Sequence, residues 1–336
     1  MSASLKHLLA SREALLAIVI VLTAIVFAVA SPTFLSAAHL FGVVRASVVI
    51  GIMALGVMTV LLTNGIDISV SATAVSAMYI TTVTLRALDY QGTFLVAVIM
   101  AMVIGGLLGA INGVLVSLLR LPSLIVTIGT LTMYRGALLA FVGTERIHDL
   151  PARMSEFSMV SLISTHSAGR DVQLHISAVI LLGLAIVLAL ALRYVWWGRS
   201  IYAIGDNEEA ARRVGVNADA VRTTAFVISG ALAGLAGILY AAMNRAADPS
   251  TFVGTEMTVL AAVVLGGTSV MGGRGTVLGT LLGVLLISVV GSSLVLVGIP
   301  AAWQSLFIGL FLLLGVCVPA IRERSIQRSR GLVVFE

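Results

Sequence analysis

Charged residues are scarce in this chain, and that scarcity is the first constraint on its fold. Only 10% of its 336 residues are Asp, Glu, Lys or Arg, whereas 59% are hydrophobic. A soluble domain carries about 25% charged residues, so this composition excludes an ordinary soluble protein and indicates one embedded in a membrane. The apolar stretches take up most of the chain and leave no room for a soluble catalytic domain.

Cysteine and buried acidic residues are nearly absent as well. The single cysteine, Cys317, excludes a disulfide within the chain and a cysteine-based metal site, and we interpret it as a small buried apolar side chain. Asp67 is the one real candidate for an acidic group within the apolar region, and no cluster combines a nucleophile with an acid, a base or metal ligands. We therefore expect no catalytic residues, no metal site and no cofactor in this chain.

What the sequence does contain is a series of apolar runs. A helix needs about 20 apolar residues to span a membrane, so we predict an all-α integral membrane fold with about ten transmembrane helices and some broken or re-entrant segments. The whole chain, residues 1–336, forms a single domain in this interpretation. The predicted spans cover residues 13–31, 46–63, 68–86, 93–119, 122–142, 174–197, 222–244, 255–268, 275–297 and 301–320.

The basic residues indicate the orientation of the chain. Lysine and arginine are concentrated before the first span, in the polar segment 198–222 and in the tail 321–336. Cytoplasmic loops carry such an excess, so both termini and the central segment are predicted to be cytoplasmic. Residues 143–173 then form an outer loop, either a surface that receives an external protein or a lid over the pore mouth. The positive charge reports topology and gives no case for nucleic acid binding.

The polar segment 198–222 has the pattern of a short helix held between two spans. Asp206 and Glu209 have capping-box spacing, Gly215 is suited to stop the helix, and Asn217 is suited to cap the next one. We predict a helix over residues 208–214 that docks to something in the aqueous phase. A solvated connecting loop is the alternative.

Two further segments interrupt the apolar pattern. Asp67 follows Asn64 between the second and third spans; it either lines a translocation path or its cytoplasmic gate, or it caps the third span at an ordinary turn. The run 264–275 includes Thr268 and Ser269 among five glycines, and it predicts either a broken or re-entrant helix or a tight turn. It lacks the Gly-Lys-Ser/Thr ending of a phosphate-binding loop, so it is not an ATP site.

Glycines recur every three or four residues in three spans. These rows predict close packing of helix backbones, because packing drives helix association in lipid. They include Gly105, Gly109, Gly113, Gly230, Gly234, Gly237, Gly275, Gly279 and Gly283.

Four segments, in order, resemble the membrane permeases of ribose-type ABC importers, and they look closest to the rhamnose and furanosyl-autoinducer branch. They are Ile66-Asp67-Ile68-Ser69-Val70, the run from Leu121 to Gly136, the run from Tyr202 to Val216, and Gly266-Gly267-Thr268-Ser269 with the glycines after it. The resemblance extends over nearly the whole chain. It departs at Ser71, where the family usually has glycine.

The resemblance implies a multi-pass permease of a bacterial inner membrane that carries a monosaccharide or related small polyol-like solute. It implies three partners: a separate ATP-binding-cassette ATPase that uses the ATP, a periplasmic or lipid-anchored sugar-binding protein, and a second permease copy or paralogue. The residues expected to couple to the ATPase are Gly205, Asp206, Asn207, Glu208, Glu209, Arg212 and Arg213. Those expected along the translocation path are Asn64, Asp67, Thr268 and Ser269.

Three other functions compete with this interpretation. An ion-coupled secondary transporter of a small polar solute needs a coupling-ion site, for which Asp67 is the one real candidate. A membrane-embedded enzyme needs convergent catalytic groups that the sequence does not show. A channel accounts for the glycines and not for the docking helix.

Overall fold

The computed structural model describes residues 12–167, 170–300, 302–311 and 313. Cys317 and the tail 321–336 lie outside the described residues. The helices are α1 (Arg12–Ala30), α2 (Ala37–Leu62), α3 (Val70–Ala87), α4 (Phe94–Leu118), α5 (Ser123–Ala137, continued by π-helical turns over Leu138–Val142), α6 (Ala152–Phe157), α7 (Ser177–Tyr194), α8 (Trp196–Asp206), α9 (Glu208–Arg213), α10 (Ala218–Asn244), α11 (Thr255–Leu265), α12 (Val277–Leu296) and α13 (Ala302–Phe311). The strands are β1 (Ser161–Ser167) and β2 (Arg170–His175).

The all-α membrane fold predicted from the sequence is confirmed, but the count of ten spans is not. Within the described residues, seven helices are long and apolar enough to cross a membrane. Helix α3 is rich in serine and threonine, and α11 and α13 are short apolar helices. The second span begins at Ala37 rather than near residue 46, because Ser36 caps α2 by accepting a hydrogen bond from the backbone N–H of His39.

Helix α10 is the centre of the fold, and it packs mainly against α4, α2 and α3. Its contact with α4 is made by glycines, as the sequence predicted. A Cβ placed on Gly105 would collide with the carbonyl oxygen of Gly230, and one on Gly109 would collide with that of Phe226. Gly234 lies equally close to Ala101. We call Gly105, Gly109, Gly230 and Gly234 the glycine seam; its backbones approach too closely for any side chain between them.

Helices α2, α3 and α4 form one set of three, and helices α10, α11 and α12 form a second set with the same pattern of contacts. Helix α4 packs on α10 as α12 packs on α2, and α3 lies beside α4 as α11 lies beside α12. In each set an irregular segment precedes the middle helix, namely residues 63–69 before α3 and residues 245–254 before α11. The first irregular segment is where the sequence predicted a break, around Asn64 and Asp67. The second was not predicted, since the other predicted break, the run 264–275, lies after α11 rather than before it.

The loop 143–173 contains a β-hairpin that the all-α prediction did not anticipate. Strands β1 and β2 pair antiparallel, with Ile163 opposite Leu174. Ahead of the hairpin, Ile147 forms an isolated bridge with Ala247, which ties the loop to the end of α10. His175, the last residue of β2, is buried, and its ring nitrogen Nδ1 lies 2.9 Å from the Ser177 hydroxyl.

The polar segment 198–222 is largely helical rather than a loop. Helix α8 occupies its first residues and ends at Asp206, and α10 begins at Ala218, four residues before the predicted boundary. Gly198 is held against the end of α7, where a Cβ would collide with Ala191 and Leu192. The segment therefore turns by packing helix ends together rather than by a solvated loop.

Candidate functional site

The short helix α9 forms where the sequence predicted one, but its cap is a different residue. The side chain of Asn207 accepts a hydrogen bond from the backbone N–H of Ala210 at 2.9 Å. Asp206, the predicted cap, is instead the last residue of α8. Backbone dihedrals decide this, because Asn207 is extended, with φ −155° and ψ 99°, as an N-cap residue must be. Gly215 ends the turn at φ +86°, as predicted.

One face of α9 is fastened to α10 by charged side chains. Glu208 accepts hydrogen bonds from Arg222 of α10 and, at 2.9 Å, from Arg212 one turn along α9. Arg212 in turn donates to Asp219 at 2.6 Å. Ala211 on the same helix is buried. We call Glu208, Arg212, Asp219 and Arg222 the charged clamp.

The charged clamp changes the titration of Glu208. Partial burial alone would raise the pKa of its carboxyl, but the hydrogen bonds and charges of Arg222 and Arg212 outweigh burial and bring the pKa below its ordinary value. Glu208 therefore remains ionised, and the clamp intact, through the neutral pH range.

The other face of α9 points away from the chain. Glu209 and Arg213 pair at 2.5 Å, but their side chains are 78% and 76% exposed. An exposed pair of this kind contributes about 0.2–1 kcal/mol, so it does little for the fold. The two faces of α9 thus differ in role, since one holds the helix in place and the other is open to a partner.

Below α9, three distant segments meet through their backbones. A Cβ on Gly205 would collide with the carbonyl oxygen of Leu62 and with the backbone nitrogen of Gly273. The Gly273 N–H donates to that same Leu62 oxygen at 3.0 Å. Asn64, at φ 61°, lies beside Gly272, whose φ of +85° lets the glycine-rich loop turn back towards Gly205. We call the contact of Leu62, Asn64, Gly205, Gly272 and Gly273 the inner junction.

The inner junction therefore joins residues that the sequence had assigned to separate roles. Asn64 was predicted to line the path and Gly205 to couple to the ATPase, yet the two lie against the same loop. Thr268 is buried, and its hydroxyl has no partner among the described residues. Ser269 closes the glycine-rich loop, because its backbone N–H donates to the Arg274 carbonyl at 2.8 Å.

Asp67 lies apart from the inner junction, in a buried chain of hydrogen bonds. One carboxylate oxygen accepts from the N–H and hydroxyl of Ser69, at 3.0 and 2.7 Å, and the other accepts from Ser229 of α10 at 3.0 Å. Asn112 of α4 donates to the Ser69 hydroxyl at 2.7 Å. Ser229 is the twelfth residue of α10, so Asp67 lies about 16 Å along that helix from its start. The segment after Asn64 therefore turns back between the helices.

An ion pair that the sequence did not assign joins the starts of the two broken helices. Ser71 in the first turn of α3 donates to Glu256 in the first turn of α11 at 2.6 Å. Arg135 of α5 lies 3.4 Å from Glu256 and donates to Ser71 and to the Phe252 carbonyl, both at 3.0 Å. Glu256 is more than a hundred residues from Arg135 along the chain, so spacing alone had no means to identify the pair.

A cavity of about 530 Å³ opens between the charged clamp and the turn that joins α4 to α5. Asn64 and Gly65 of the break after α2 line its wall, with Arg120 and Ser123 of the turn opposite them. This cavity is therefore bordered by the clamp, the helix break and the turn together.

The comparisons with known proteins agree with this architecture. The family described as branched-chain amino acid transport system / permease component matches residues 39–316. The autoinducer 2 import system permease protein LsrC of Salmonella typhi is 37% identical over 97% of this chain and 90% of its own length. Its namesakes in Enterobacter sp. (strain 638) and Yersinia enterocolitica are 36% and 38% identical, over 98% and 80% of this chain and 92% and 71% of their own lengths. No solved structure matched the chain.

Proposed function

This chain belongs to the branched-chain amino acid transport system / permease component family, and we propose that it is the permease subunit of an ATP-binding-cassette importer. The solute we propose is a monosaccharide or a related small polyol-like molecule, in a multi-pass protein of a bacterial inner membrane with both termini cytoplasmic. The relatives support the sugar-like class, because they are named for the import of autoinducer 2.

The two-faced helix α9 is the observation that carries the proposal. An ATPase subunit docks on the exposed face of α9, which presents Glu209 and Arg213. Its movement passes to α10 through the ion pairs of Glu208 and Arg212. A surface loop without such fastening would bend under load, whereas a helix clamped to a long span moves it.

The inner junction gives the movement a second route. Helix α8 presses through Gly205 on the end of α2 and on the loop between α11 and α12. A displacement of α8 and α9 therefore reaches both sets of broken helices together. The role of the chain is mechanical, because in this proposal it binds no ATP and forms no bond to the solute. It converts the closure of the ATPase into alternate opening towards the two sides of the membrane.

Two further partners complete the proposal. A sugar-binding protein, periplasmic or lipid-anchored, delivers the solute at the outer loop, which contains the hairpin of β1 and β2 and is tied to the end of α10 by the bridge between Ile147 and Ala247. A second permease, either another copy or a paralogue, forms the other half of the path.

Purification with uptake measurements tests the proposal. The chain is tagged in its native host and extracted in mild detergent, and stoichiometric companions are identified by mass spectrometry. The same complex in vesicles is assayed for uptake of labelled D-ribose, L-rhamnose and autoinducer 2, with and without ATP. We expect an ATPase companion and ATP-dependent uptake of one of these solutes. A chain that purifies alone and transports without ATP would instead support the ion-coupled transporter.

Leucine is included in the same uptake panel because the family description names branched-chain amino acids. Uptake of leucine alone would support the importer function but with an amino acid rather than a sugar as the solute.

Asp67→Asn tests the remaining alternative, the ion-coupled transporter, because the amide has the same shape as the carboxylate and lacks its charge. An ion-coupled carrier would lose its coupling ion with that change, whereas an importer should still show ATP-stimulated uptake at a reduced rate.

A further inference from the structure

A second cavity, of about 420 Å³, lies at the outer end of the chain between α2, α10 and the irregular segment before α11. Its polar lining consists of Arg45, Tyr240, Asn244, Thr251 and Thr255. None of the residues that the sequence assigned to the path lies there. Its volume falls within the range of about 300–1,000 Å³ that is usual for small-molecule sites.

The position of Arg45 indicates that this face of α2 is not exposed to lipid. It is the ninth residue of α2, about 12 Å along the helix, and it is exposed in the single chain. A charge at such a position among apolar residues is costly in hydrocarbon, so its surroundings are water or protein. One of its guanidinium nitrogens donates to the Met243 carbonyl at the end of α10. An arginine has five N–H donors, so others remain available to a solute.

The remaining walls suit a neutral polyol. Tyr240 and Phe252 meet edge to face, with ring centroids 4.9 Å apart, and offer an apolar surface to the C–H face of a sugar ring. Thr251 and Thr255 bring hydroxyls to the opposite side. The side-chain amide of Asn244 donates to the Tyr240 carbonyl at 2.9 Å, which leaves its oxygen as an acceptor. The lining contains no carboxylate among the described residues.

We propose that this outer cavity is the first solute subsite of the permease, a water-filled pocket in which Arg45 donates hydrogen bonds to the hydroxyls of a small neutral polyol. The proposal deepens the importer function and depends on it for the identity of the solute. An anion would need the charge of Arg45, whereas a polyol needs only its hydrogen bonds, and that difference can be tested.

Substitutions at two glycine positions form a matched test, because one would fill the cavity and the other would leave it open. A Cβ on Gly42 or on Gly183 meets nothing within 4 Å. Gly42 is the sixth residue of α2 and lines the cavity, whereas Gly183 is the seventh residue of α7 and lies among exposed apolar side chains. In the native complex, Gly42→Trp should lower uptake by about tenfold or more because the indole occupies the site, and Gly183→Trp should leave uptake unchanged.

Uptake is expressed per complex present in the membrane. If wild-type uptake depends on ATP and Gly42→Trp transports normally, the cavity is not a solute site, although the importer function stands. If wild-type uptake does not depend on ATP, the importer function fails, and the difference between the two glycine variants still decides whether the cavity carries the solute.

Cysteine labelling covers the case in which Gly42→Trp does not assemble. In a Cys317→Ser background, Gly42→Cys should react from outside with a membrane-impermeant maleimide, and the transported sugar at saturation should slow the reaction. Gly183→Cys should remain unlabelled. A Gly42→Cys that does not react would show that the cavity is closed to water and would overturn the proposal.

Variants of Arg45 test the chemical class of the solute. For a neutral polyol, Arg45→Gln should retain most of the uptake because its amide still donates hydrogen bonds, while Arg45→Leu should lower uptake by about tenfold. Equal loss in both variants would show that the positive charge is required, and the assignment to a neutral polyol would be wrong.

Discussion

Helices α4 and α10 meet through their backbones, whereas α9 meets α10 through charged side chains. In the glycine seam, Gly105 and Gly109 bring the two helix backbones together with no side chain between them. In the charged clamp, Glu208 reaches Arg222 with long, partly exposed side chains. The first contact tolerates no change of distance, and the second can lengthen and reform. In the proposed importer, the glycine seam would let α4 and α10 move as one body, while the charged clamp would transmit movement from the ATPase.

The largest effect should come from filling the glycine seam. Gly105→Leu forces a side chain into the Gly230 carbonyl, and overpacking alone costs about 1–3 kcal/mol even where neighbours can relax. Backbone atoms cannot move aside, so we expect little folded chain in the membrane. The matched control is Gly183→Leu, since Gly183 is exposed and a Cβ there meets nothing within 4 Å. Fluorescence-detected gel filtration measures both, and equal yields would contradict the seam.

The next effect should come from Gly205 at the inner junction. Gly205→Ala places a methyl group against Leu62 and Gly273, which separates α8 from the end of α2. We expect the chain to insert and uptake to fall by about tenfold, because misplacement of a coupling element removes transmission before it removes the fold. Gly183→Ala, with open space around its Cβ, should transport normally. Full uptake by Gly205→Ala would show that the inner junction does not transmit movement.

Two adjacent glutamates sharpen the comparison within α9. Glu208→Gln loses charge-assisted contacts with Arg222 and Arg212, and partial exposure limits the cost to about 1–2 kcal/mol. We expect faster amide exchange over residues 208–213 in the purified chain. Glu209→Gln should leave that exchange unchanged, because its pair with Arg213 is exposed.

When binding of the ATPase is measured instead of amide exchange, we expect Glu209 to matter more than Glu208. Glu209→Arg should reduce co-purification of the ATPase, while the fold of the chain stays intact. If Glu209→Arg retains the companion and Glu208→Gln has no effect on exchange, the assignment of the two faces of α9 is wrong.

The smallest effect should be that of pH. The pKa of Glu208 is below its ordinary value of 4.5, so the stability it gives to α9 is fully present above that value and is lost as the pH falls through the lower, folded pKa. Amide exchange over α9, corrected for the intrinsic rate, should therefore be flat from about pH 8 to pH 5 and rise only in more acidic solution. A rise near pH 6 would mean that another group controls the clamp.

Much of the architecture could be predicted from the sequence because it depends on local patterns. Apolar runs specify spans in lipid, where the backbone has to satisfy its own hydrogen bonds. The cap at Asn217 and the stop at Gly215 also follow from residues a few positions apart, and both were predicted correctly. The cap of α9 was misassigned to Asp206 because two neighbouring residues are both good caps, and only the dihedrals of Asn207 choose between them.

The sequence by itself determined the all-α membrane fold, the glycine rows and a short polar helix between two spans. The tertiary structure decided which residues meet: Gly205 with Gly273, Arg135 with Glu256, Ser229 with Asp67, and Arg45 with the end of α10. Each of these pairs joins segments far apart in the chain. Their meeting depends on how the helices pack, and in lipid that packing is set by the close fit of whole helix surfaces rather than by any local signal.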